Sequence, residues 1–131
     1  MPLIKINVVR GRSPAETSQL LDTIHHTVVT AFNVPERDRY QLLNEYEPSH
    51  LKALDTGLDI QRSEKFILIE VVTRPRSREE KLNFYELMAK ALHDSCGIAS
   101  SDVMISIIEN SDEDWSFGMG RAQFVTGELT G

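Results

Sequence analysis

Ile4-Lys5-Ile6-Asn7-Val8-Val9 is answered later in the chain by Ile67-Leu68-Ile69-Glu70-Val71-Val72, and this pair of segments decides the fold. Each alternates or runs apolar and is rich in β-branched residues, which is the pattern of a strand. Arg12-Ser13 then matches Arg76-Ser77, a spacing of 64 residues, and the same spacing carries Val34 onto Ile98 and Asp38 onto Asp102. The chain therefore reads as two copies of one unit.

Both first strands run into a helix-start signature. Ser13-Pro14-Ala15-Glu16 and Ser77-Arg78-Glu79-Glu80 each place Ser at the N-cap with Glu three residues on, a capping box. Pro14 falls where its missing N–H costs nothing. Apolar residues then recur at helical spacing: Leu20, Leu21, Ile24, Val28 and Phe32 in the first helix, Leu82, Tyr85, Leu87, Met88 and Leu92 in the second. Asn33 and Gly97 end the two helices as residues that tolerate the left-handed conformation.

A second strand closes each unit, near residues 39–46 and 103–109. A helical crossover of this length favours parallel pairing inside each unit. The expected fold is α+β, assembled from α/β-type units: two tandem β-α-β units, about 2–46 and 65–110, in a single domain of 1–131. They would make a four-stranded sheet with both helices on one face. Residues 47–64 are polar and read as a loop or short hairpin, while the tail, 111–131, carries Trp115, Phe117 and Phe124 and reads as packed. Ile, Leu and Val line both faces of several strands, so the uncovered face predicts an oligomer.

Composition narrows the function classes. The 131 residues carry a net charge of -6 with 26% charged residues, and no basic stripe offsets it, so nucleic acid is not an expected partner. The local positive excess, Arg74-Pro75-Arg76-Ser77-Arg78, is large enough to hold one small anion. No run approaches the ~20 apolar residues of a membrane span, and Met-Pro-Leu-Ile-Lys-Ile lacks the basic-then-apolar layout of a secretory signal. Cys96 is the only cysteine, which excludes an intrachain disulfide and fits a reducing cytoplasm; it falls at a helix end and reads as a packing residue. His25 and His26 are adjacent in a helix and face different ways, and no metal-ligand spacing or glycine-rich phosphate loop occurs, so neither metal nor cofactor is expected. Asp112-Glu113-Asp114 reads as an acidic turn without the calcium-loop pattern.

The chemistry-bearing candidates are few. Removal of Met1 before the small residue Pro2 would leave a secondary amine, and an α-amino group has a reference pKa of roughly 7.7–8.0. Modest surroundings then decide its charge. As a neutral amine it is a base or a nucleophile toward a carbonyl; as a cation it donates a proton. Arg74 and Arg76 follow a strand and precede a capped helix, and their spacing in extended chain points both guanidinium groups to one side to grip a carboxylate. Asp38, at the start of the second strand of its unit, can orient water or set the charge of Pro2; its repeat partner Asp102 offers the plainer reading of a turn residue.

With these residues in view, the chain resembles the tautomerase superfamily, and within it the malonate semialdehyde decarboxylase family. The resemblance is carried by Met1-Pro2-Leu3-Ile4, Val34-Pro35-Glu36-Arg37-Asp38-Arg39-Tyr40-Gln41, Asp55-Thr56-Gly57-Leu58, Arg74-Pro75-Arg76-Ser77, Glu109-Asn110-Ser111-Asp112-Glu113-Asp114-Trp115-Ser116-Phe117-Gly118 and Gly120-Arg121-Ala122. It spans nearly the whole chain. It implies a homotrimer, with Pro2, Asp38, Arg74 and Arg76 as catalytic groups and Trp115, Phe117, Phe124 and Leu129 as an apolar wall beside them. The implied reaction is cofactor-independent decarboxylation of malonate semialdehyde, a small 3-oxo acid, to acetaldehyde and carbon dioxide. Hydration or tautomerisation of activated 2-oxo or unsaturated haloacids by the same groups is the alternative, and a binding trimer of low activity a further one.

Overall fold

The computed structural model describes residues 1–130; Gly131, the last residue of the expected tail, lies outside the described residues. Strands β1 (Leu3–Val9), β2 (Tyr40–Tyr46), β3 (Ile67–Thr73) and β4 (Val103–Glu109) form a sheet in the order β2-β1-β3-β4. Pairing is parallel between β1 and β2 and between β3 and β4, and antiparallel between β1 and β3. Each unit thus makes its own parallel pair, and the two units join through their first strands.

The helices α1 (Pro14–Phe32) and α2 (Arg78–Cys96) begin at the two expected capping boxes. Ser13 Oγ accepts from the Glu16 N–H at 3.1 Å while Glu16 Oε1 accepts from the Ser13 N–H at 2.9 Å, and Ser77 and Glu80 repeat this at 3.1 and 3.0 Å. Asn33 and Gly97 close them in the left-handed conformation, at φ of 51° and 66°. Both helices pack on one face of the sheet. Ile4, Ile6 and Val8 of β1 and Ile67, Ile69 and Val71 of β3 meet Leu20, Ile24 and Val28 of α1 and Phe84, Met88 and Leu92 of α2 in one core.

The apolar stripe of α2 differs from expectation. Leu82 and Tyr85 are exposed at 52% and 36%, and Phe84, between them, is fully buried. Phe84 stacks on Phe32 at 4.7 Å, so contact with α1 sets the phase of the helix. Residues 47–64 form no strand and therefore no hairpin; a 3-10 turn at Pro48–His50 is followed by irregular chain. In the tail, a short helix α3 (Gln123–Thr126) follows a 3-10 turn at Asp112–Asp114. The repeat also slips after its helices: β2 begins two residues beyond Asp38, whereas β4 begins one residue beyond Asp102.

The second sheet face is uncovered in the single chain. Tyr40, Leu42, Met104 and Ile108 are exposed there at 45%, 51%, 42% and 55%, which is the bare apolar face the strands predicted.

Candidate active site

Sheet register brings the candidate residues to one end of the sheet. Leu3 pairs with Tyr40 on one side and with Val72 on the other, so the start of β1 lies beside the approach to β2 and the exit from β3. Thr73 pairs with Glu109, which delivers the start of the tail to the same corner. Asp38, Arg74, Arg76 and the N-terminus, dispersed in sequence, converge there.

Asp38 sits in the turn before β2 rather than within the strand, and its backbone N–H donates to the Pro35 carbonyl at 3.0 Å. Its side chain is buried, and neither carboxylate oxygen has a hydrogen-bond partner among the described residues. The cation it faces is the Met1 ammonium, 3.8 Å from Oδ2. Burial raises the carboxyl above its ordinary pKa, opposed by the charges of the terminal amine, Arg76 and His25. Asp102 shows the contrast, since its oxygens accept from the Ser63 N–H at 2.7 Å and the Ser63 hydroxyl at 2.5 Å. Asp102 is the turn residue; Asp38 is a buried carboxylate held in reserve.

The terminal amine is equally perturbed. With Met1 in place, Pro2 is buried and its nitrogen belongs to the Met1–Pro2 peptide bond, so the Met1 amine carries the terminal charge. Its pKa is lowered from 8.0 to about 6, chiefly by burial and then by the positive charges of Arg76 and Arg74, against the pull of Asp38 and Asp112. An amine, an unpartnered carboxylate and two guanidinium groups thus act on one another across a single corner, which makes it a candidate reactive site.

Arg74 donates from Nε to Asp112 Oδ1 at 2.6 Å and lies over the Phe124 ring at 4.0 Å. Arg76 donates from Nε to Thr73 Oγ1 at 3.0 Å and from Nη1 to the Phe32 carbonyl at 3.3 Å, above the Phe32 ring at 4.8 Å. Its backbone N–H is fixed by Glu109 Oε2 at 2.7 Å. These contacts hold both side chains in place, and leave both Nη groups of Arg74 and Nη2 of Arg76 without protein partners among the described residues. A carboxylate can therefore be gripped by donors already in position.

The tail supplies the apolar side. Trp115 stacks on Phe117 at 5.5 Å, Phe117 meets Phe124 edge-on at 5.5 Å and stacks on Tyr40 at 5.9 Å. Trp115 is anchored by Nε1 donating to Asn110 Oδ1 at 2.6 Å. Through Phe124 the cluster abuts Arg74. Leu129 is half-buried and tied by its N–H to the Gln123 carbonyl at 3.0 Å, next to Phe124 in sequence. Besides Thr73 and Glu109, which hold Arg76, three further residues enter the corner that were not expected there. Asp112 pairs with Arg74, Phe32 underlies Arg76, and Tyr40 carries the aromatic cluster; in sequence these read as part of an acidic turn, as the end of an apolar helix stripe and as part of a motif shared by resemblance. Concavities of about 510, 520 and 490 Å³ lie elsewhere on the chain. Convergent charge, rather than depth, marks the site.

Two family models, both described as tautomerase enzyme, match residues 38–118 and 2–59. From Bacillus subtilis (strain 168), the protein named "Probable tautomerase YrdN" is 44% identical over 98% of this chain and 100% of its own length. "Probable tautomerase YusQ" of the same organism is 36% identical over 95% of this chain and 99% of its own. A solved structure of malonate semialdehyde decarboxylase, described as a basis for decarboxylase and hydratase activities, is 46% identical with a TM-score of 0.95, covering 98% of this chain and 99% of that one. The FG41 malonate semialdehyde decarboxylase inhibited by 3-bromopropiolate is 40% identical with a TM-score of 0.93, covering 98% of both chains. A fused 4-OT solved as a symmetric trimer shares the fold at 21% identity and a TM-score of 0.77, over 95% of this chain and 98% of that one.

Proposed function

The chain belongs to the tautomerase family, and from that premise we propose that it decarboxylates malonate semialdehyde to acetaldehyde and carbon dioxide, with the Pro2 amine, freed by loss of Met1, as its working group. The observation that carries the reading is the buried, unpartnered Asp38 carboxylate facing the terminal amine, on which both Arg74 and Arg76 also act. The similarity to two malonate semialdehyde decarboxylases supports the choice of reaction.

The chemistry follows from the charges. Breaking the bond between the carboxyl carbon and C2 leaves an electron pair on C2, and the aldehyde one bond away must accept it. A protonated Pro2 stabilises the resulting enolate by hydrogen bonding its oxygen, and the enolate then takes a proton at C2 to give acetaldehyde. A neutral Pro2 reaches the same product through an iminium, which water later hydrolyses. Arg74 and Arg76 hold the carboxylate and turn its C–C bond into line with the carbonyl π system. Their grip stabilises the ground state as well; the Trp115–Phe117–Phe124 wall offsets this by favouring neutral carbon dioxide over the charged group.

The resting charge of the amine depends on what the arginines hold. With Met1 in place, their positive charge lowers the pKa of the Met1 amine. A bound carboxylate cancels that charge and shifts the amine back toward its cationic form, so substrate itself prepares the acid.

Hydration of an activated acid is the second reading, and Asp38 favours it. A buried carboxylate with two unoccupied oxygens can take a proton from water while Pro2 protonates carbon and the arginines bind the acid. Comparing the purified protein on malonate semialdehyde and on a 2-oxo-alkynoate decides between them. Acetaldehyde formation faster than hydration supports the decarboxylase; hydration alone overturns it. We further propose a homotrimer, in which the bare sheet face is buried and neighbouring chains enclose the corner.

A further inference from the structure

The two units are related by the repeat, so the sheet has a second corner built on the same plan at its opposite end. Counted back from the helix caps Ser13 and Ser77, Arg10 and Arg12 occupy the positions of Arg74 and Arg76. Counted back along the first strands, Lys65 lies two residues before Ile67 as Pro2 lies two before Ile4, and both strand residues face the helices. A lysine residue, with its side chain exposed, therefore takes the strand position that the buried proline has in the first corner. The tether is repeated too: Arg10 Nε binds Glu47 Oε2 at 2.8 Å, as Arg74 Nε binds Asp112 Oδ1 at 2.6 Å.

Two substitutions within the repeat change what this corner can do. The last residue of α2, Cys96, replaces Phe32, and Leu20 replaces Phe84. The stacked pair that fills the first corner beneath Arg76 is thus absent, and a cavity of about 510 Å³ opens instead, lined by Arg10, Arg12, Lys65, Leu20 and Cys96 among others. Neither Arg12 nor the Lys65 ammonium has an ion pair or side-chain hydrogen bond among the described residues. Glu16 on the same wall has Oε1 in its capping box, and its charge acts on both Arg12 and Lys65 without a direct ion pair. Asp102, the repeat partner of Asp38, is fully engaged by Ser63, so the counterpart of the unpartnered Asp38 carboxylate is not free to drive chemistry.

We propose that this second corner binds a short monocarboxylate without transforming it, through Arg12, Lys65 and the tethered Arg10. Two cations without direct ion pairs among the described residues, over an apolar floor of Leu20 and Cys96, fit a charged head on a short chain. Glu64 on the rim disfavours a second negative charge, which selects mono- over dicarboxylates. The carboxylate chemistry parallels that assigned to the first corner, but the site requires no turnover there.

The test is an amide NMR titration of the full-length protein with 3-hydroxypropanoate, a short monocarboxylate that cannot lose carbon dioxide. Saturable shifts are expected at Gly11, Arg12 and Lys65, separate from those at the Arg74–Arg76 corner. The double variant Arg12→Gln/Lys65→Gln should weaken that binding at least tenfold, the effect of removing charge-assisted hydrogen bonds, while turnover is kept. Cys96→Phe, which restores the ring of the other corner, should block the cavity with all cations present. Shifts confined to the Arg74–Arg76 corner, or binding at Gly11 and Lys65 unchanged in these variants, would overturn the proposal. Arg76→Ala affects the first corner alone, so failure of the proposed decarboxylation leaves this test intact.

Discussion

Asp38 is a residue whose stability and usefulness pull in opposite directions. A buried carboxylate without hydrogen bonds costs folding free energy, and its raised pKa means that the native chain holds a proton the unfolded chain has released. Stability should therefore fall as pH rises from the ordinary carboxylate value through the raised one. Asp38→Asn removes the charge and should stabilise the protein by about 1 kcal/mol at neutral pH, read as a higher melting temperature. The same change should lower decarboxylation on the order of a hundredfold or more and move the alkaline limb of the rate profile to lower pH, because Asp38 raises the amine pKa. A variant both less stable and unshifted in pH profile would show Asp38 to be structural. Arg76→Ala should reduce kcat/KM by about ten- to a hundredfold through loss of carboxylate binding; unchanged turnover would remove the clamp. At this scale the sequence was half legible. Asp38, Arg74 and Arg76 were readable as candidates from turn position and resemblance, whereas the difference between Asp38 and Asp102 was not, since it depends on Ser63 hydrogen bonding to one of them and no described residue hydrogen bonding to the other.

The elements were the most legible level because their signals are local. Capping boxes at Ser13 and Ser77 and left-handed residues at Asn33 and Gly97 fixed both helices at both ends. Gly97 sits at φ 66°, where a β-carbon is strained, so Gly97→Ala should destabilise the fold by about 1 kcal/mol in denaturant titration without altering the arginine corner. No loss of stability would mean that α2 ends in another conformation. What local signals missed was phase and contact. Phe84 rather than Leu82 or Tyr85 faces the core because Phe32 on the other helix stacks against it, a pairing invisible along one helix. The tail likewise showed its aromatics but not that Asp112 and Phe124 would hold Arg74 between them.

For the whole molecule, the repeat gave the parallel pairs and the open face, and the antiparallel join of β1 to β3 completed them. Tyr40, Leu42, Met104 and Ile108 leave an apolar sheet face without cover in one chain, and association is the economical remedy. Sedimentation should give a trimer of the 14.8 kDa chain, and Leu42→Glu should shift it toward monomer with loss of turnover. A monomeric native protein would contradict the proposed assembly. The claim on which the proposed function stands is the free Pro2 amine, and a proton NMR time course with malonate semialdehyde tests it most directly. Acetaldehyde should accumulate with the native protein after loss of Met1 and at a small fraction of that rate with Pro2→Ala; equal rates from the two, or no acetaldehyde from the native protein, would contradict it.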